Sequence, residues 1–82
     1  MVEIRFSKEF TIIFSKLKDP LIRERVIKQT KKISENPEVG KPMKNIRKGT
    51  RELYIPPFRL SYTYDVKNKI VYILDLYHKK KQ

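Results

Sequence analysis

Arg59 lies in the stretch Phe58-Arg59-Leu60-Ser61-Tyr62-Thr63-Tyr64, followed at two-residue spacing by the hydroxyl residues Ser61 and Thr63. A guanidinium presents donors that match phosphate oxygens two at a time, and a lysine adds a mobile point charge. Lys41, Lys44, Arg47, Lys48 and Arg51 follow one another just upstream, and His78-Lys79-Lys80-Lys81 comes near the end of the chain. His78 is the sole histidine, and at an unperturbed pKa of about 6.5 an imidazole exchanges a proton near neutrality. The chemistry open to this set is the binding of phosphate-like anions, with nearby tyrosines able to stack on bases. Pattern alone gives each residue a second reading. Arg59 equally fits a sheet-surface arginine paired with Glu52 or Asp75, the basic loop a solvated charge run, His78 a strand-end surface histidine, and Lys79 to Lys81 a solvated tail.

The whole chain agrees with a polyanion partner. Twenty Lys and Arg stand against nine Asp and Glu in 82 residues, a net charge of +11. Such a field favours nucleic acid, an anionic membrane surface or an acidic protein. There is no cysteine, so disulfides and thiolate metal sites are excluded and a reducing cytosol fits. Hydrophobic residues make up 39%, with five Tyr and four Phe, enough for one small globular domain spanning residues 1–82. No apolar run approaches the roughly 18 residues of a membrane span, and the N-terminus lacks a signal-peptide layout. The expected location is the cytoplasm, with no metal and no small-molecule cofactor.

Periodicity supplies the elements that must position these residues. Residues 2–6 alternate apolar and charged and predict a short strand. Ser7 then caps a helix whose apolar face is Phe10, Ile13, Phe14 and Leu17, ending before Pro20. Asp19 and Pro20 predict the N-cap and first residue of a second helix, with Ile22, Val26, Ile27 and Ile33 on its apolar side and Asn36-Pro37 at its end. Residues 38–50 read as a basic loop with a turn of helix. Three strands follow, at 51–55, 58–65 and 70–77, joined by Pro56-Pro57 and by a turn in which Asn68 is best suited to positive φ. The last strand is apolar at nearly every position, as for a central strand. The expected fold is a two-layer α+β domain in the order β-α-α-β-β-β, a helical hairpin packed on one face of a mainly antiparallel sheet of three to four strands. Phe58, Leu60, Tyr62 and Tyr64 then lie under the helices. Arg59, Ser61 and Thr63 line the other face, beside the loop of Lys41, Lys44, Arg47 and Lys48.

Ile4-Arg5-Phe6-Ser7-Lys8-Glu9-Phe10, Gly40-Lys41-Pro42, Arg51-Glu52-Leu53-Tyr54-Ile55 followed by Phe58-Arg59-Leu60-Ser61-Tyr62, and an apolar strand running into Tyr77-His78-Lys79 come in this order. With them the chain resembles the RelE/ParE superfamily of toxins from type II toxin–antitoxin modules, and within it the RelE-like mRNA interferases. The resemblance implies a ribosome-dependent endoribonuclease that cleaves mRNA in the A site by 2′-hydroxyl attack, neutralised by an acidic, RelB-like antitoxin. It maps the phosphate-contacting arginine onto Arg59, basic residues ahead of the second strand onto Lys44, Arg47, Lys48 or Arg51, and the C-terminal basic position onto Lys79 or Lys80. The alternative within the superfamily is a ParE-like toxin that inhibits a topoisomerase by binding it. The chain departs from the pattern in carrying lysine after His78, in ending before a C-terminal tyrosine, and in Pro56-Pro57 at the strand turn.

Chemistry bears on the choice independently. Attack by a 2′-hydroxyl needs in-line geometry, a proton acceptor, charge neutralisation and a proton donor. Arginine neutralises charge but stays protonated. With one histidine and no evident acid–base pair, the chain is a poor free-standing nuclease. A substrate oriented by another machine relaxes that demand, since orientation alone is worth roughly 7 to 11 kcal/mol of a barrier.

Overall fold

The computed structural model describes residues 2–44 and 48–79. Strand β1 (Glu3–Phe6) leads into helix α1 (Lys8–Lys16) and helix α2 (Pro20–Glu35); strands β2 (Lys41–Pro42), β3 (Arg51–Ile55), β4 (Phe58–Asp65) and β5 (Ile70–His78) follow. The strands form one sheet in the order β1-β5-β4-β3-β2. β2 to β5 pair antiparallel, while β1 pairs parallel to β5. The fold is therefore the expected α+β arrangement with five strands rather than three or four. The additional strand is β2, which occupies part of the segment expected to hold a helical turn.

The caps explain the helical hairpin. The Ser7 hydroxyl accepts from the Phe10 amide at 2.9 Å, and an Asp19 carboxylate oxygen accepts from the Leu21 amide at 2.9 Å, so each helix starts on a side chain that satisfies an otherwise unpaired N–H. Arg23 closes the junction. Its guanidinium donates to the Phe14 and Leu17 carbonyls at 2.7 and 2.9 Å and lies 4.3 Å from the Phe14 ring centre.

One face of the sheet packs on the helices. The core consists of Phe10, Val26 and Ile33 from the helices with Ile55, Leu60, Tyr62, Val71, Ile73 and Leu76 from the sheet. Ile27, expected on the apolar side of α2, is instead 60% exposed. In the turn after β4 the positive φ falls on Lys69, not Asn68. Asn68 serves Asp65, to whose carboxylate it donates from its amide at 3.1 Å and from its side chain at 2.8 Å.

The decisive irregularity is in β5. Ser61 pairs with Asp75 but Tyr62 pairs with Ile73, so Leu74 is an extra residue, a β-bulge. Strict alternation from Val71 and Ile73 would turn residues 75 and 77 toward the helices. The bulge shifts the phase by one, so Leu76 enters the core and Tyr77 turns to the other face.

Candidate functional site

Strand register assembles the surface opposite the helices. Arg59 has Tyr54 of β3 on one side and Tyr77 of β5 on the other as direct cross-strand partners. Glu52 pairs with Ser61 and with Lys41, so Lys41, Glu52, Tyr54, Arg59, Ser61, Asp75 and Tyr77 share one face. A cavity of about 330 Å³ opens there, lined by Lys41, Glu52, Tyr54, Arg59 and Lys79 among others, within the size range of small-ligand pockets.

Electrostatics within it are specific. The Arg59 guanidinium lies 3.3 Å from Glu52 Oε1, with the Glu52 side chain only 3% exposed. The Tyr77 hydroxyl donates to Glu52 Oε2. To do so Tyr77 reaches across β4, which lies between β5 and β3. Lys79 follows β5, donates its backbone N–H to the Pro57 carbonyl at 3.1 Å and holds its ammonium 5.1 Å from the centre of the Tyr54 ring. Tyr54, half exposed, thus presents a flat face beside two cations.

The residues expected from the sequence divide into groups. Arg59, Lys41 and Lys79 line the cavity together. Lys44 and Lys48 are exposed in the neighbouring loop, while Arg47 and Lys80 fall outside the described residues. Arg51 and His78 are not brought to this surface. Arg51 pairs in register with the core residue Tyr62, and its guanidinium donates to the Glu38 and Gly40 carbonyls at 3.0 and 2.8 Å. His78 pairs with Phe58, their rings 5.9 Å apart edge to face, on the side away from Arg59. The Glu52 pairing that pattern allowed for Arg59 is realised, inside the cavity rather than in place of it.

Sequence reasoning did not single out Tyr54 and Tyr77. Tyr54 was within reach, because two residues between strands place Ile55 opposite Phe58 and hence Tyr54 opposite Arg59. Tyr77 was not, because its orientation depends on the bulge.

A second concavity lies elsewhere. Ile4, Phe6, Phe10, Phe14, Val26 and Ile27 line much of an apolar groove of about 480 Å³ between β1 and the two helices, with Phe6 52% exposed.

Residues 4–82 match the family model described as ParE toxin of type II toxin–antitoxin system, parDE. The chain belongs to that family and is a toxin of a type II toxin–antitoxin module. The RelBE2 toxin–antitoxin complex of Mycobacterium tuberculosis contains a similar chain, 29% identical with a TM-score of 0.83, the match covering 95% of this chain and 98% of that one. The Escherichia coli RelBE complex gives a TM-score of 0.81 at 15% identity over 95% and 96% of the two chains. A YoeB/ParE toxin from Agrobacterium tumefaciens gives 0.83 at 12% identity over 93% and 96%. The last two likenesses concern the fold alone. Curated protein sequences contain no significant match.

Proposed function

We propose that the chain is the RelE-like, ribosome-dependent endoribonuclease of its module, cutting mRNA by attack of a 2′-hydroxyl on the adjacent phosphorus. The observation that carries this reading is the joint lining of one cavity by Arg59, Lys41 and Lys79 beside the exposed Tyr54 ring. Arg59 contacts the scissile phosphate and stabilises the charge that builds on it. Lys79 neutralises the leaving 5′-oxygen and protonates it, and Lys41 holds a flanking phosphate. Tyr54 supports a base by stacking. Lys44 and Lys48 extend the basic path along the strand of RNA. Arg51 acts indirectly, by fixing the carbonyls of the loop that precedes Lys41.

The test is cleavage of mRNA on programmed ribosomes. The wild-type protein is expected to cut within the A site, and Arg59→Ala to slow cutting by about 100-fold to 1000-fold, as for loss of one preorganised charge stabiliser. Intact mRNA with the wild-type protein overturns the reading. The family's ParE description favours a second reading, inhibition of a topoisomerase by binding. Loss of DNA supercoiling activity on adding the protein, with ribosomal mRNA left whole, would select it.

The partner follows from the same module. Solved relatives are toxin–antitoxin complexes, and the +11 charge of this chain suits an acidic antitoxin. An amphipathic antitoxin helix would bury its apolar face on the groove of Phe6 and Ile27. Ile27→Glu is then expected to weaken the complex while leaving mRNA cleavage unchanged.

A further inference from the structure

The cleavage chemistry needs a group to take the proton of the attacking hydroxyl, and His78 is turned away from Arg59. Glu52 is the one carboxylate among the described residues lining the cavity. It is not open to substrate, since Oε1 faces Arg59, Oε2 faces Tyr77 and the side chain is 3% exposed. Tyr77, half-buried beside Arg59 on the same face of the sheet, donates its hydroxyl to that carboxylate. We infer that Tyr77 and Glu52 form the proton-accepting relay of this site, an inference resting on the nuclease reading above.

The 2′-oxygen bonds to phosphorus and the bond from phosphorus to the 5′-oxygen breaks. The 2′-hydroxyl proton passes to the Tyr77 oxygen as the proton of Tyr77 passes to Glu52, so the phenol is never left ionised. The Lys79 ammonium gives a proton to the departing 5′-oxygen, leaving a 2′,3′-cyclic phosphate and a free 5′-hydroxyl. Solvent afterwards removes the proton on Glu52 and restores that on Lys79. The groups facing the relay are Lys41 of β2, Tyr54 of β3, Arg59 of β4, and Asp75 and Lys79 on β5 and just after it. Asp75 accepts from the Leu76 amide at 2.8 Å and is not part of the cavity lining.

Glu52→Gln and Tyr77→Phe test this, because each keeps the shape of its side chain and Gln still accepts from Arg59. Single-turnover cleavage on saturating programmed ribosomes would be measured across pH, with thermal unfolding confirming that each variant is folded. Each single variant is expected to cut about 100-fold to 10,000-fold more slowly at unchanged ribosome affinity. The double variant should be no slower than the worse single one, as for groups acting as a unit. Rates within threefold of wild type, or losses that multiply in the double variant, overturn the relay while leaving the nuclease reading standing. A wild-type protein that leaves ribosomal mRNA intact overturns both.

Discussion

Tyr62 ties the core to the loop that precedes β2. It is 0% exposed, donates its hydroxyl proton to the Pro37 carbonyl at 2.7 Å and accepts from the Gly40 amide at 2.8 Å. With Arg51 it fixes the loop entering β2, and so the position of Lys41. Gly40 is required by this approach, since a Cβ there would lie 2.6 Å from the Tyr62 hydroxyl oxygen. Tyr62→Phe strands a buried donor and a part-buried acceptor and is expected to cost about 1–3 kcal/mol, read as a lower midpoint in thermal or urea unfolding. Burial pushes the Tyr62 hydroxyl above the usual tyrosine range, with the Gly40 hydrogen bond and Arg51 opposing in part. A raised folded-state value means that the neutral phenol stabilises the fold below the unfolded value of about 10, and that this contribution is lost as pH rises through the folded one. Ultraviolet titration should find one tyrosine ionising late, together with unfolding in alkali, and Tyr62→Phe should remove that late step.

Among the elements, the junction of α1 with β5 decides the site. The Ser7 hydroxyl both caps α1 and donates to the Leu74 carbonyl at 2.6 Å, while the Ser7 amide donates to the Ile73 carbonyl at 2.9 Å. One serine thus holds a helix start against the bulge that turns Tyr77 toward Arg59. Ser7→Ala is expected to destabilise by about 0.5–2 kcal/mol, the range for a lost N-cap, measured by denaturant unfolding. The β4–β5 turn offers an acid test. Hydrogen bonds from the Asn68 side chain and amide hold the Asp65 carboxyl below the usual aspartate range. This lowered value stabilises the turn above the unfolded value, and the contribution disappears as pH falls through the folded one. Carboxyl NMR titration should find Asp65 ionising at lower pH than the exposed carboxylates, and Asn68→Ala should bring it back toward them.

For the whole molecule, the question is whether +11 acts as a diffuse field or through one site. If the Arg59 cavity is the contact, Lys41, Arg59 and Lys79 neutralise about three phosphates. Binding to a short single-stranded RNA should then weaken with salt at a log–log slope of about −2, from roughly −0.7 per phosphate. Lys79→Ala should bring the slope closer to zero by about 0.7. A much steeper slope, unmoved by that substitution, would mean that the basic surface binds as a whole. Fluorescence anisotropy over a salt series measures it.

Much of this molecule was legible in order, since its signals are local. Ser7 and Asp19 cap the helices they precede, Pro20 and Pro37 bound them, and period-two alternation in 58–64 put Arg59 opposite the helices. Charge balance and the Arg59 pattern were enough to suggest an anion-binding face. Which groups join Arg59 there was decided in three dimensions. β1 beside β5, the Arg51 bonds to the 38–40 loop, and the bond from Ser7 to Leu74 link residues far apart in the chain, and alternation carries no record of such pairings. A single extra residue in β5 inverts the faces of everything after it. Strict alternation would set Leu76 opposite Arg59 and turn His78 to the same face, and the bulge sets Tyr77 opposite Arg59 instead, because burying Leu76 in the core requires the shifted phase.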